Sequence, residues 1–311
     1  AVFTVGNIAS ALSDTLLTLL MSRAVSGIGA GLYSPTAAAT AAALAPEGRR
    51  GRALSLLLAG LSVGTVIGVP LGLLMAADHG WRSAFWLISA LGVIAAVGIA
   101  ILIPRLQLTT SPGIRARLAV VIDRRVAPVV LVSLLFNIAS LGLYTYIAPV
   151  LRTAAGVTQP IPFLWAWGVG GIIGAFTVGA LIDRASGATR VMPFVAALLM
   201  VATAAIVPAG TVLFAVAIAV GCWGAAGFAS PPPQQHLILE RAADRGTVAV
   251  AANSSAIYLG GAIGSGLAGI ALHLGLTAAA LPVIASAFAA AALIVYLVFV
   301  ARDRAPVVGN D

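Results

Sequence analysis

The stretch GAGLYSPTAA, residues 29–38, sits inside an apolar run, and GFASPPPQ, residues 227–234, echoes it much later in the chain. Setting Ala30-Gly31-Leu32-Tyr33-Ser34-Pro35 against Ala226-Gly227-Phe228-Ala229-Ser230-Pro231 matches four of six residues at an offset of 196. Both copies lie in a chain that is 61% hydrophobic and only 8% charged, with a mean hydropathy of +1.09. A soluble domain cannot bury so much apolar surface. The chain reads as an all-α integral membrane protein in the lipid bilayer.

The formal charge of +8 does not point to nucleic acid, because that reading needs basic residues gathered on one solvated face. Here they fall in short clusters between apolar runs. All seventeen are arginines. The lone Cys222 lies inside an apolar run, so it forms no internal disulfide and reads as a small core residue.

A helix needs roughly 17–25 residues to cross the hydrocarbon core. Nine runs meet or approach that length: 16–45, 53–76, 83–103, 126–150, 161–182, 191–208, 211–233, 247–272 and 277–301. A tenth, 1–12, is too short to span, and no secretory signal pattern is visible. The loops alternate in charge. Fourteen arginines, at 49, 50, 52, 105, 115, 117, 124, 125, 184, 190, 241, 245, 302 and 304, share one side, and only Arg82 and Arg152 fall on the other. The positive-inside rule makes the rich side cytoplasmic, with the C-terminus there and Ser13-Asp14 in the first outer turn.

The repeat is then architecture. Subtracting 196 lays 211–233 and 247–272 onto the runs beginning near 16 and 53, with Arg245 on Arg49, Gly260 on Gly64 and Gly264 on Gly68. Both halves share a helix-loop-helix in the same orientation, as in transporters built from parallel repeats. The run 191–208 falls at the stub 1–12, which becomes the tail of a full helix. The runs at 126–150 and 161–182 fall before residue 1, so ten segments imply a twelve-helix parent. The expected organisation is an N-terminal half-bundle at 1–103, a cytoplasmic linker at 104–125, a six-helix half-bundle at 126–301 and a tail at 302–311.

Four groups of residues resemble a known family. Arg23-Ala24-Val25-Ser26-Gly27-Ile28-Gly29-Ala30-Gly31 looks like the fourth-helix motif of the major facilitator superfamily. Gly60, Gly64, Gly68, Val69, Pro70 and Gly72 look like the fifth-helix motif of its drug/proton antiporter branch. Gly179-Ala180-Leu181-Ile182-Asp183-Arg184-Ala185-Ser186-Gly187 resembles the second-half copy of its cytoplasmic loop motif. Gly80-Trp81-Arg82 and Asn253-Ser254 are similar to arabinose-efflux and chloramphenicol-resistance type members. The resemblance implies a bundle lacking the family's first two helices, present as helices three to six and a complete second half. It also implies a monomer in the cell membrane that exports a small organic molecule, drug or sugar-like, in exchange for protons by alternating access. On this reading the protein is not an enzyme. A non-transporting remnant or regulator and a membrane-embedded enzyme are the alternatives, although clustered acids, histidines or a nucleophile at one depth are lacking.

Each motif also has a packing reading. Gly60, Gly64, Gly68 and Gly72 recur every four residues and form a small-residue ridge on which a second helix can approach. Pro70 interrupts the helical hydrogen-bond ladder there. The resemblance assigns this helix to the interface between halves, where it limits leak.

Arg23 is the one arginine embedded in an apolar run, and a charge at mid-membrane costs about 2.5–3.5 kcal/mol on insertion scales. Snorkelling to the headgroups is one account. The resemblance implies a role in proton coupling or cavity polarity. Complete spans hold no deep acid, so its partner is expected on the substrate or on helices outside this sequence. Asp14 reads as a helix cap.

Ser133, Asn137, Ser140 and Tyr144 fall on one helical face, and such a stripe must turn inward from lipid. It serves interhelical hydrogen bonding or a cavity wall. Ser26, Tyr33, Trp223, Asn253 and Tyr258 complete the candidate cavity set. Pro35 and Pro231 interrupt their helices towards the cytoplasmic side, with Ser34 or Ser230 bonding a freed carbonyl. The three prolines at 231–233 predict a distorted or unwound end. No cofactor is implied: the histidines, at 79, 236 and 273, make no metal-spaced pair.

Overall fold

The computed structural model describes residues 1–46, 49, 53, 56, 60, 63–64, 67–103, 119, 122–185, 187–242 and 245–301; the side chains at 34, 35, 38, 39, 42, 43 and 247 fall outside that description. The described residues form helices and turns with no strand. In lipid this is the expected outcome, because a helix satisfies its backbone polar groups internally. Eight of the helical segments are long and apolar enough to cross a membrane.

The chain divides into two compact units, Ala1–Ser111 and Pro112–Asp311. The first holds α1 (Val2–Ala11), α2 (Leu16–Leu44), α3 (Gly68–His79) and α4 (Arg82–Leu102). Most of the sequence run 53–76 ahead of Gly68 lies outside the described residues. The stub α1 packs against both α2 and α4, and small residues make that approach possible. A Cβ on Gly6 would lie 2.7 Å from Ser26 Oγ, and one on Gly92 would lie 2.6 Å from Thr4 Oγ1. Thr4, Gly6, Asn7 and Ser10 are buried, so the stub's polar face points into its unit. Ser10 and Ser22 hydroxyls meet at 2.8 Å across α1 and α2.

Asp14 does not cap α2, contrary to the sequence reading. Thr15 is the N-cap and exchanges hydrogen bonds with Thr18 in a capping box. Asp14 instead accepts from Arg82 Nη2 at 3.1 Å, and the same nitrogen donates to Ser13 O at 2.7 Å. The outer turn is thus tied to the start of α4. Pro35 does not interrupt its helix either, since α2 runs unbroken through it to Leu44.

The second unit holds α5 (Ala127–Tyr144), α6 (Ile147–Ala155), α7 (Ile161–Arg184), α8 (Ala188–Ala205), α9 (Leu213–Ala229), α10 (Pro231–Arg241), α11 (Gly246–His273) and α12 (Leu281–Val295), followed by a π turn at Tyr296–Val300. The expected single run at 126–150 is broken at Thr145-Tyr146 into α5 and α6. Two helix pairs dominate the packing, α5 with α11 and α7 with α9. Each seam is lined by glycine. A Cβ on Gly264 would collide with Ile138 O, and one on Gly224 with Trp167 O. Helix-to-helix contact this close is the gain that small residues give in lipid, where no hydrophobic force draws helices together. Cys222 packs half-buried against the core, as the sequence suggests.

The three prolines act as the sequence anticipates in one respect and not in another. The helix breaks at Ser230, but it resumes at once and runs eleven residues to Arg241 rather than unwinding. Proline is tolerated in the first turn of a helix because the amides there have no intrahelical acceptor. The carbonyl of Gly227, which Pro231 cannot reach with an N–H, accepts from Ser230 Oγ at 3.3 Å.

Candidate functional site

In the first unit the polar centre is Arg23. Its Nη1 donates to Asn7 Oδ1 at 2.8 Å, and its guanidinium carbon lies 5.2 Å from the centroid of the Phe85 ring. Asn7 is itself oriented by a 2.8 Å bond from Nδ2 to Phe3 O. Three helices therefore position one cation: α2 carries it, α1 supplies an amide oxygen and α4 supplies an aromatic face. The guanidinium thus has a neutral hydrogen-bond acceptor within the chain, beside the acidic partner expected on the substrate or on helices outside this sequence. Asn7 is not evident from the sequence, because a neutral amide on a segment too short to span does not register as a counter-group. Ser26, one turn further along α2, is buried and its hydroxyl has no partner among the described residues. Tyr33, by contrast, is 55% exposed.

The antiporter-type motif is only partly described. Within the first unit a Cβ at Gly60, Gly64 or Gly68 would meet nothing within 4 Å, and at Gly72 it would meet only Ala84 Cβ at 3.8 Å. Among the described residues of that unit, only α4 approaches the ridge, and only at Gly72. Pro70 is buried in the first turn of α3. In the loop motif, Gly179, Asp183 and Arg184 belong to α7, and Gly187 takes φ 132, the conformation that admits glycine most readily.

In the second unit the stripe Ser133, Asn137, Ser140 turns wholly inward. Ser133 Oγ and Asn137 Nδ2 bond back to carbonyls of their own helix, at 3.1 and 2.8 Å. Ser140 Oγ accepts from Trp223 Nε1 at 3.0 Å. Tyr144 then joins an aromatic group that the stripe spacing alone does not reveal. Its ring lies 4.3 Å from Trp167 and 6.2 Å from Trp223, and Trp167 lies 5.2 Å from Phe228. These are edge and tilted arrangements of the kind aromatic rings favour. Trp167 and Phe228 escape a sequence reading because aromatics in apolar helices are ordinarily packing. Trp167 Nε1 is buried with no partner among the described residues.

Asn253 is also fully inside, and neither its oxygen nor its nitrogen has a partner among the described residues; the same holds for Gln234 on α10. Tyr258 stands apart at 60% exposed. Among the described residues no group of three His, Cys, Asp or Glu side chains could hold a metal ion.

Comparison with known proteins identifies the family. The model of the Major Facilitator Superfamily matches residues 1–265. The inner membrane transport protein YdhP of Escherichia coli K12 is 31% identical over 308 residues, covering 98% of this chain and 78% of that protein. The MFS-type transporter YfhI of Bacillus subtilis is 28% identical over 287 residues, 88% of this chain and 69% of that protein. A chloramphenicol resistance protein of Streptomyces lividans is 31% identical over 256 residues, 79% of this chain and 64% of that protein. An all-helical chain with paired glycine seams, a model match over most of its length and relatives of this kind leads to one conclusion: the chain belongs to the Major Facilitator Superfamily, a family of membrane transporters.

Proposed function

We propose that the protein is a proton-coupled efflux antiporter for a small organic molecule, working by alternating access in the cell membrane. The observation that carries the reading is Arg23, an arginine inside an apolar span whose guanidinium is held by Asn7 and Phe85. A charge kept in such a place marks a transport path or a proton relay more often than a structural support. A cation at this position raises the acidity of any carboxyl group that approaches it, and so favours proton release when the path opens.

Supporting the same reading are the antiporter-type residues Gly60, Gly64, Gly68, Pro70 and Gly72, on a helix assigned to the interface between halves. The break at Ser230 ahead of Pro231 supplies a bending point in α9–α10. The aromatic group of Tyr144, Trp167, Trp223 and Phe228 offers a wall for an organic substrate, with Ser140, Ser26, Tyr33, Asn253 and Tyr258 as further contacts. The loop residues Gly179, Asp183, Arg184 and Gly187 lie on the cytoplasmic side, with the C-terminus, and the protein acts as a monomer.

Chloramphenicol is the first probe, because one relative bears its name in a resistance protein. Respiring inverted vesicles carrying the full-length protein should accumulate labelled chloramphenicol, and a protonophore should abolish the accumulation. Arg23→Ala should remove it while leaving expression intact. Accumulation that survives the protonophore would overturn proton coupling.

A further inference from the structure

The second unit contains two primary amides that no account of packing explains. Gln234 is 0% exposed and Asn253 is 1% exposed. All four of their polar side-chain atoms are buried without a hydrogen-bond partner among the described residues. Natural proteins leave few buried polar atoms unpaired, and each one asks for a reason. Four such atoms on two helices that pack together is a concentration, not a stray defect.

The register of the helices brings the two amides to one depth. Helices α5 and α11 run side by side in the same direction, since a Cβ on Gly260 would lie 3.0 Å from Asn137 Cβ and one on Gly264 would lie 2.9 Å from Gly142 Cα. Asn253 precedes Gly260 by about two turns on the same stripe, and therefore faces α5 near Val130. Helix α10 runs the opposite way. Its Arg241 donates to Arg125 O at 3.3 Å, at the entry to α5. Gln234 lies about two turns back on the face that also carries the buried Leu237 and Ile238. It is therefore level with Val132 and Ser133. Ser133 is fully buried at the same level, with its hydroxyl directed to Val129 O.

The node is uncharged. Helix α5 carries no acidic or basic residue and α11 has none before His273; on α10 the one such residue before Glu240 is His236, which is exposed on the opposite face from Gln234 and pairs with Glu240 at 3.1 Å. Two amides and a hydroxyl offer donors and acceptors together but no compensation for a charge, so they suit a group that both gives and takes hydrogen bonds while staying neutral. We propose that Gln234 and Asn253, beside Ser133, form a hydrogen-bonding subsite in the cytoplasmic half of the C-terminal bundle for an uncharged hydroxyl- or amide-bearing part of the solute. The proposal rests on the transporter reading above and names the substrate class for which that path is built. It adds Gln234 to the candidate residues and gives Asn253 a defined task.

Replacing an unpaired buried amide by an apolar side chain of similar shape leaves a fold intact or strengthens it. Gln234→Met, Asn253→Leu and the double variant are therefore the decisive changes, with Gln234→Asn as a milder one that keeps the amide. The readout is the ligand-induced shift in melting temperature of the purified full-length protein, measured with chloramphenicol, which is uncharged and bears hydroxyl and amide groups. Tetraphenylphosphonium, a cation without hydrogen-bonding groups, is the comparison. The wild type should be stabilised by chloramphenicol, with apparent affinity falling about tenfold in each single apolar variant, the equivalent of one good hydrogen-bonded contact. Gln234→Asn should fall between, and any response to tetraphenylphosphonium should be unchanged throughout. An equal chloramphenicol response in wild type and variants, or none in the wild type, would overturn the subsite. Binding without vesicle accumulation would instead overturn the transporter reading and leave the subsite standing.

Discussion

Arg23 on α2 donates a 2.8 Å hydrogen bond to Asn7 on the short helix α1. This single contact gives the stub a purpose that its length does not suggest. It places a neutral oxygen, not an acid, against the one arginine set inside an apolar run. Asn7→Leu removes that acceptor and should destabilise the protein by about 1–2 kcal/mol, the usual scale for a hydrogen bond to a charged group moderated by the membrane reference state. Thermal unfolding in detergent measures it. The double variant Asn7→Leu with Arg23→Leu should recover part of the loss, which shows that the two side chains are coupled.

The glycines divide sharply by what surrounds them. At Gly264 a Cβ would run into the backbone of α5, whereas at Gly266, half a turn away, it would meet nothing within 4 Å. Gly264→Leu should abolish the monodisperse folded peak in size-exclusion chromatography. Gly266→Leu should leave stability within about 0.5 kcal/mol of wild type, as surface changes usually do.

Ser140 and Trp223 form the one side-chain-to-side-chain hydrogen bond described inside the second unit's core. Ser140→Ala strands the indole N–H in a buried seam and should cost about 1–3 kcal/mol. A double-mutant cycle with Trp223→Phe should return a coupling of about 1 kcal/mol, read from thermal unfolding.

At the opposite end of the same unit two arginines play unequal parts. Arg245 pairs with Asp123 at 2.6 Å, with half of its own side chain exposed. Arg241 donates to Val300 O at 2.6 Å and to Arg125 O, which ties the last turn of the bundle to the entry of α5. Arg245→Ala should cost no more than about 1 kcal/mol and lose its effect in high salt. Arg241→Ala should cost more and respond less to salt, because it releases carbonyl groups as well as a charge. Melting curves at two salt concentrations separate the cases.

Much of the architecture was legible because membrane spans declare themselves by composition alone. The helix-loop-helix repeat at 196 residues could be read from Gly31, Ser34 and Pro35 against Gly227, Ser230 and Pro231. Ser230 bonding to Gly227 O follows from proline lacking an N–H. Three things were not legible. Pro35 leaves α2 unbroken while Pro231 opens a new helix, because one proline is absorbed by a helix and three in a row are not. Asp14 leaves the cap to Thr15 because Arg82, distant in sequence, offers it an ion pair. Gln234 does not stand out in the sequence, because only the tertiary packing of α10 against α11 and α5 shows it to be buried. Pattern reports which face a residue occupies, but partners come from chain segments that pattern does not connect.

The central claim is exchange of a solute for protons, and it is tested most directly in proteoliposomes made acidic inside, loaded with a pH-sensitive dye and carrying the full-length protein. Chloramphenicol added outside should raise the internal pH at a rate that saturates with its concentration, and Arg23→Ala should abolish the response. An internal pH that stays unchanged while chloramphenicol enters, in wild type and variant alike, would contradict the account.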